Sequence, residues 1–253
     1  MPLVTTEAVI LHQFDYLESS RIYRLATRDA GVQSVLAKGA RRSRTRYGSA
    51  VDLFAQGEVQ IYLKPSRELH NLAAFDVTRA RPELAAVPGR FTAAAALAEL
   101  MLRFARDDPS PSLYSALVAA LDAVGAAPVG ATADAALAGA WHLVAELGFA
   151  PVIDSCGNCH RTIAADAAAP FSHPAGGVLC ASCSRKIPSS RSLPPEARAA
   201  LRDWLGGRAS RTADESVRRA HQRLLREFLA EHLTDGRELR AFAVWELGGW
   251  DAA

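Results

Sequence analysis

The segment EVQIYLK, residues 58–64, decides the fold of the first third of the chain. Val59, Ile61 and Leu63 alternate in it with side chains that carry polar groups. An alternation with a period of two predicts a β-strand that has one buried face and one face in water. The segment therefore predicts a sheet whose inner surface is apolar.

Four segments like it lie on either side, within residues 3–78. They are short, rich in strand-forming residues and separated by turn-like or polar stretches: VTTEAVIL (4–11), RIYRLATR (21–28), VQSVLAK (32–38) and LHNLAAFDV (69–77). Five strands in fewer than eighty residues predict a small closed barrel such as an OB-fold. An SH3-like barrel would have a similar number of strands, and the alternation alone does not choose between the two.

The pattern becomes helical after Arg81-Pro82. Leu and Ala recur at helical spacing in residues 91–106, 112–124 and 132–147, and two more helices are predicted near 196–206 and 213–233. Thr212 and Glu215 form a T-x-x-E capping box for the last of these helices. The final segment, ELRAFAVWEL, fits either a strand or a helical turn.

Four cysteines lie in the one stretch that lacks helical periodicity, in two C-x-x-C pairs separated by twenty residues: Cys156, Cys159, Cys180 and Cys183. Each pair supplies two thiolates from one tight loop, and two such loops complete a tetrahedral four-sulfur site. Four thiolates leave no open position for water. The pattern therefore predicts one structural zinc ion.

Other uses of these cysteines fit less well. The segment C-G-N-C-H, residues 156–160, matches the attachment signature of c-type haem, which requires export and leaves the second pair unexplained. An iron–sulfur cluster fits the ligands, but no redox partner motif accompanies it. A thioredoxin-like dithiol would open a helix after a strand, and residues 151–155 do not offer that context. His160 and His173 are expected to be neighbours of the site on its solvent side and not ligands.

The sequence thus predicts an α+β protein, with an N-terminal OB-fold-like β-barrel followed by an α-helical domain that carries an inserted four-cysteine zinc finger. The expected divisions are 1–80 for the barrel, 81–150 for the first part of the helical domain, 151–190 for the zinc-finger module, and 191–253 for the last part and the C-terminal tail.

Composition and motifs exclude several classes of protein. A net charge of +2 is too small to indicate a partner. The N-terminus has no basic region followed by an apolar stretch, and no window of eighteen apolar residues occurs, so neither a signal peptide nor a membrane span is expected. The cytoplasm is the expected location. We expect no enzymatic activity, because no phosphate-binding glycine loop, H-E-x-x-H motif or nucleophile elbow is present.

Five positive charges fall within nine residues directly after the strand VQSVLAK: Lys38, Arg41, Arg42, Arg44 and Arg46. Gly39 and small polar residues leave this backbone open, as a loop needs if it follows a phosphate backbone. The segment is therefore a candidate DNA-binding loop, and a merely solvated loop is the alternative. Tyr47 and Tyr62 are equally suited to stack on bases or to lie at the barrel rim.

A second basic stripe is predicted on the last helix, at Arg219, Arg223 and Arg226. It is a candidate patch for DNA or a partner. Glu215 and Glu227, with Glu231, are near enough to neutralise part of it, so a solvated face is equally consistent with the sequence.

Two motifs resemble the RecO family of recombination mediators. VQSVLAKGARRSRTRYGSAVDLF, residues 32–54, is similar to the family's N-terminal signature, and LGFAPVIDSCGNC, residues 147–159, is similar to its helix end and zinc-finger start. The resemblance extends from about residue 3 to residue 235, in the same order of barrel, helices, cysteine module and helices. The tail after residue 235 departs from it.

The resemblance implies an OB-fold, a helical domain with a zinc finger, and binding of single- and double-stranded DNA. Members of the family anneal complementary strands and work with RecR to load RecA on strands covered by single-strand-binding protein. The K-G-A-R-R match assigns DNA contact to Lys38, Arg41 and Arg42, and association with the nucleoid follows. The rival reading is a zinc-containing RNA-binding protein of the translation machinery, since OB-folds and four-cysteine fingers occur there too.

Overall fold

The structure, a computed structural model of the chain, describes residues 2–40, 51–64, 67–128, 130–187, 191–233 and 238–248. It contains an N-terminal β-barrel, a body of helices and, between two parts of that body, a segment that carries the four cysteines. The predicted fold class, an OB-type barrel followed by a helical domain with an inserted cysteine module, is confirmed.

The barrel is built from five strands: β1 (Leu3–Tyr16), β2 (Ser20–Thr27), β3 (Gly31–Ala37), β4 (Gln56–Tyr62) and β5 (Leu69–Arg79). They close in the order β1-β2-β3-β5-β4. Every neighbouring pair is antiparallel except β3 and β5, which run parallel. Closure gives each of the five strands two hydrogen-bonded neighbours.

The interior of the barrel is filled by alternate side chains, as the sequence predicts. Val59 and Ile61 of β4 are completely buried, whereas Tyr62 is 40% exposed. Leu63 is partly buried and packs against the same interior cluster. The alternation therefore separates an apolar inside from an outer surface.

Strand β1 contains a register shift between Ile10 and His12. Before the shift, Val9 lies outside the barrel and belongs to the apolar core shared with the helices, while Ile10 belongs to the barrel interior. The extra residue, Leu11, also packs in the shared core. A bulge of this kind bends a strand and re-aims the side chains that follow it.

The helical body contains α1 (Pro82–Ala85), α2 (Pro88–Phe104), α3 (Pro111–Ala126), α4 (Thr132–Glu146), α5 (Pro195–Leu205), α6 (Glu215–His232) and α7 (Arg240–Leu247). Proline in the first turn begins α1, α2, α3 and α5, where its missing N–H removes no helical hydrogen bond. The five predicted helices are present within a few residues of their expected ends. Within the described ranges, no helix is long and apolar enough to cross a membrane.

Two details of the helices differ from the sequence-based expectation. The cap of α6 is Asp214, whose Oδ1 accepts hydrogen bonds from the backbone N–H groups of Ser216 and Val217 at 2.8 and 3.0 Å. Thr212 does not cap the helix, because its hydroxyl donates to Asp134 of α4 at 2.8 Å. The final segment, for which a strand was equally possible, forms helix α7.

A buried arginine joins the barrel to the helical body. Arg81 donates from Nε to Asp122 Oδ1 of α3 at 2.7 Å, from Nη1 to the Phe54 carbonyl at 2.9 Å, and from Nη2 to Gln56 Oε1 at 2.7 Å. Its backbone is in the left-handed region, with φ 53°. Because one guanidinium bonds to both parts, and because the outer side chains of β1 and β2 join the helical core, the two parts pack against each other directly.

The cysteine module contains a small sheet of β6 (Ala169–Ser172) and β7 (Gly177–Val178), joined by β8 (Arg191–Leu193), in the order β7-β6-β8. Phe171 and Val178 are completely buried and belong to the core of the helical body. The module therefore rests its apolar side on the helices, and its cysteines lie beyond that contact.

Candidate functional site

The four cysteines are brought together from two loops that are distant in sequence. Their Sγ atoms all lie within 4.8 Å of one another, an arrangement that could hold a metal ion. Cys156 is buried, Cys159 is exposed, and Cys180 and Cys183 are partly exposed. In the described part of the chain, this is the single group of three or more potential metal-binding side chains at such a spacing.

Backbone hydrogen bonds shape both loops. In the first, the Cys156 N–H donates to the Arg161 carbonyl at 2.8 Å, and the His160 N–H donates to the Cys156 carbonyl at 2.9 Å. In the second, the Cys183 N–H donates to the Cys180 carbonyl at 3.1 Å. Each loop therefore turns within four residues and presents both of its sulfurs on one side.

Gly157 has a steric role. A Cβ at this position would lie 2.6 Å from the carbonyl oxygen of Ala175, closer than a Cβ approaches backbone oxygen in real proteins. The same residue donates its N–H to the Val178 carbonyl at 2.8 Å. A glycine is needed here because the first loop is pressed against the chain that leads to the second.

The four thiols lie so close together that their pKa values differ widely from one another. A hydrogen bond from the Ser182 hydroxyl, 3.1 Å from Cys180 Sγ, lowers the pKa of Cys180 to about 5. The backbone N–H of Arg161 lowers the pKa of Cys159, but the neighbouring sulfurs, first that of Cys156, outweigh it and raise that pKa to about 11. Four negative sulfurs at this spacing repel one another, so full ionisation requires a bound cation.

The nearby histidines are not brought into the sulfur cluster. His173 Nε2 lies 3.1 Å from Glu227 Oε2 of α6, so this ring faces the helical body. His160 has a left-handed backbone, with φ 60°, and completes the turn after Cys159. The expectation that both lie on the solvent side is wrong for His173, which is buried against α6.

Arg198 of α5 is a structural residue of this region that the sequence analysis missed. It is completely buried, and its guanidinium donates to the carbonyl oxygens of Ile153, Ala164 and Ala167 at distances of 2.6 to 3.2 Å. One side chain therefore fastens both ends of the first cysteine loop to the helical body. A signal was available, because Arg198 lies three residues before Leu201 on the apolar face of the predicted helix.

The candidate DNA-binding loop is described only where it begins. Lys38 is exposed and follows β3 directly on the barrel. Arg41, Arg42, Arg44 and Arg46 lie outside the described residues, as does Tyr47. Tyr62 is on the outer surface of β4, in agreement with either of its two predicted roles.

The second basic patch borders a groove between α6 and α7. Arg219 and Arg226 are in ion pairs, the first with Glu215 at 2.8 Å and the second with Glu246 at 3.1 Å. The groove has a volume of about 680 Å³, and its lining includes Arg219, Arg223, Arg226, Leu239, Phe242 and Leu247. The three arginines therefore share one helix face, but acidic partners offset part of their charge.

Comparisons with known proteins match both halves of the chain. The family description "Recombination protein O N terminal" matches residues 1–81, and "Recombination protein O C terminal" matches residues 87–240. The DNA repair protein RecO of Anaeromyxobacter sp. (strain K) is 34% identical over 248 residues, 95% of each chain. The DNA repair protein RecO of Anaeromyxobacter dehalogenans (strain 2CP-1 / ATCC BAA-258) is 34% identical over 240 residues, 92% of each chain.

The two family matches meet where the barrel passes into the helical body, next to Arg81. They agree with the order of barrel, helices and cysteine module in the structure, and they give no support to the RNA-binding alternative. The chain therefore belongs to the RecO family, and this membership supports a role as a recombination mediator in DNA repair.

Proposed function

We propose that this protein binds single- and double-stranded DNA, anneals complementary strands and helps to load recombinase on strands coated with single-strand-binding protein, together with RecR. The observation that carries the proposal is the family match over both the barrel and the helical body. We assign DNA binding to residues 1–80, the helical body to 81–150 and 191–253, and the metal module to 151–190. The proposed location is the cytoplasm, in association with the nucleoid.

The four cysteines are proposed to bind one zinc ion. A tetrahedral site with zinc–sulfur bonds of about 2.3 Å requires sulfurs about 3.8 Å apart. The Sγ atoms of Cys159 and Cys180 are 3.7 Å apart, which fits this requirement. Four thiolates fill the coordination shell, so the ion would cross-link the two loops without offering a position for substrate. This role agrees with a protein that binds and anneals DNA without breaking bonds in it.

The basic segment after β3 is proposed to hold the phosphates of DNA, through Lys38, Arg41, Arg42, Arg44 and Arg46. Lys38 supports the proposal because it is exposed and directly follows a barrel strand. Arginine offers a planar fork of donors that matches a phosphate group. Phosphate contacts of this kind position DNA without selecting its sequence.

The patch at Arg219, Arg223 and Arg226 is proposed to contact a partner protein, either RecR or single-strand-binding protein, and not DNA. Its ion pairs reduce the positive charge that a phosphate backbone needs, and the groove beside it has apolar walls in Leu239 and Phe242. Apolar walls with a charged rim are typical of protein interfaces.

The proposal is tested by annealing of complementary oligonucleotides, with and without single-strand-binding protein and in the absence of ATP. Wild-type protein should accelerate annealing on both kinds of strand. Replacing Arg41, Arg42 and Arg44 together by Ala should weaken DNA binding and flatten the dependence of log affinity on log salt by about two, because each single-strand phosphate contact contributes about 0.7 to that slope.

A matched control replaces three exposed arginines outside the barrel, Arg103, Arg208 and Arg240. This variant removes the same formal charge and should keep the wild-type salt slope. Wild-type protein that neither binds nor anneals DNA would overturn the proposed function. An unchanged slope in the Arg41, Arg42 and Arg44 variant would remove the segment from it.

A further inference from the structure

Strand β1 carries three ring-bearing side chains on the outside of the barrel. His12, Phe14 and Tyr16 alternate along its end, and all three are exposed, Phe14 to 44% and Tyr16 to 40%. The rings of His12 and Phe14 are already close, with centroids 5.8 Å apart. Exposed rings that lie side by side on a sheet face form a patch, and such patches often mark interaction sites.

The bulge in β1 explains why these rings point outward. After the register shift, His12 pairs with Arg24, Phe14 with Ile22 and Tyr16 with Ser20. The residue between Ile22 and Arg24 is Tyr23, which belongs to the barrel interior, so the partners of the three rings lie on the outer face. The β1 residues that join the core of the helical body are Val9, before the bulge, and Leu11, in the bulge itself.

The outer face continues around the barrel from these rings. Ile22 pairs with Leu36 of β3, Leu36 pairs with Asn71 of β5, and Asn71 pairs with Tyr62 of β4. Phe14 therefore begins a row across the sheet that ends at a second exposed aromatic ring, Tyr62. This row forms a band that has exposed rings at its two ends, whereas between them Ile22 is buried and Leu36 and Asn71 are partly buried.

Basic side chains lie at both ends of the row of three rings on β1. Arg24 lies between His12 and Ser34, which are its partners on β1 and β3. Its Nε is buried and has no hydrogen-bond partner within the described residues. At the other end, Ala37 pairs with Arg21 and Lys38 follows at once, next to the Tyr16 end of β1.

Acidic groups are also present near the band. Asp15 forms an ion pair with Arg21 at 3.1 Å. Glu68 and Asp107 line the hollow of about 430 Å³ beside Arg24, together with Arg67. The rings themselves are flanked by Arg24 and Lys38, so the charge beside them suits a strand of phosphates.

We propose that His12, Phe14 and Tyr16 form a stacking platform for the unpaired bases of single-stranded DNA, with Arg24 beside them for a phosphate. The proposal rests on the proposed DNA-binding function and adds to it the distinction between single strands and duplex. Stacking of bases on aromatic side chains is tolerant of sequence, because every base has a π-face.

The spacing of the rings favours single strands. Side chains at positions i and i+2 of a strand are about 6.8 Å apart, whereas bases in a duplex follow one another at about 3.4 Å. Successive bases can lie on successive rings only when they are unstacked from one another. A duplex, whose bases are already stacked and paired, has no free π-face to offer.

The test compares the full-length protein with Phe14→Ala, Tyr16→Ala and the double variant. Affinity is measured by fluorescence anisotropy for a labelled thymidine oligonucleotide, for an abasic strand with the same number of phosphates, and for a duplex. We expect single-strand affinity to fall about tenfold for each ring removed. Affinity for the duplex and for the abasic strand, and the salt slope, should not change.

Two further variants separate stacking from folding. Phe14→Trp should bind the single strand as tightly as the wild type does. Phe14→Leu, which keeps an apolar side chain without a π-face, should bind it as weakly as Phe14→Ala does. Phe149→Ala removes a ring with similar exposure (40%), outside the barrel between α4 and the cysteine module, and should leave affinity unchanged.

The outcomes distinguish the platform from the proposed function. Wild-type protein that binds none of the three probes would overturn DNA binding altogether. Wild-type protein that binds the thymidine and abasic strands equally, with an unchanged Phe14→Ala variant, would overturn the platform alone. A change in oligomeric state in the double variant, without loss of affinity, would instead assign the rings to contact between copies of this chain.

Discussion

The barrel and the cysteine module achieve a fixed structure by different means. The barrel encloses its own apolar interior, including Leu25, Val35 and Ile61, all completely buried. The buried apolar side chains of the module, such as Phe171 and Val178, belong instead to the core of the helical body. Around the cysteines themselves, order depends on hydrogen bonds, on Arg198 and on the proposed zinc ion.

The two regions are therefore expected to lose their order in different ways. A region with its own core loses stability gradually as apolar contacts are removed, because many contacts contribute. A region held by a few directional bonds loses its order when one of them is broken.

Replacing Cys156 and Cys159 by Ala should release the metal and open the module while the barrel stays folded. Zinc sites of this type supply most of the folding free energy of small modules that lack a core. Tryptic cleavage after Arg161, Arg185 or Lys186 should become at least about tenfold faster. Metal analysis of the wild-type protein should give one zinc per chain, and stoichiometric iron would contradict the assignment.

Replacing Arg198 by Met should destabilise the helical body by about 4 kcal/mol, because several buried carbonyl oxygens lose their donor at about 1–3 kcal/mol each. The matched control is Arg202→Met on the same helix. Arg202 pairs with Asp154, and both side chains are partly exposed, so its loss should cost less than about 1 kcal/mol. Urea unfolding followed by tryptophan fluorescence measures both, since Trp204 lies in this helix. Equal losses of unfolding free energy in the two variants would show that Arg198 does not hold the first cysteine loop to the helical body.

A smaller effect is expected from acid at His221 of α6. Burial lowers the pKa of His221 to about 4, which the nearby Asp134 partly opposes. The unfolded chain, with a pKa of about 6.5 at this residue, binds the proton more readily. Stability should therefore be highest above pH 6.5 and fall by about 3 kcal/mol as the pH decreases towards 4.

His221→Phe should remove this part of the pH dependence and leave stability at pH 7.5 unchanged or higher, because neither ring nitrogen has a hydrogen-bond partner within the described residues. Urea unfolding at pH 7.5, 5.5 and 4.5 measures the effect. The same slope in variant and wild type would assign the acid response to other groups.

The sequence predicted what depends on local pattern. The alternation at Val59 and Ile61 predicted a barrel strand, and the spacing of the cysteines predicted that their sulfurs would meet. Thr212 was assigned to the wrong bond because its partner, Asp134, lies far away in the chain. Arg198 was overlooked because its place on the apolar helix face is a weak local signal, and the carbonyl oxygens that explain its burial lie 31 to 45 residues away in the chain.

The rings of β1 were also missed, for a different reason. Their outward direction depends on a bulge at Leu11, and a bulge inserts one residue without leaving a mark in the alternation that follows. Nothing local distinguishes Phe14 from a residue of the interior. The exposed face became visible only when the pairing of β1 with β2 was known.

Closure of the barrel restricts how partners can bind it. A sheet with a free edge can accept a strand from another protein through backbone hydrogen bonds, but each of the five strands of this barrel has a hydrogen-bonded neighbour on both sides over at least part of its length. Within the described ranges, the small sheet of the module ends in β8, which is only three residues long and is followed by Pro194. Recombination partners are therefore expected to recognise side chains on the barrel surface and not to extend its sheet. This arrangement also limits edge-to-edge aggregation of the barrel.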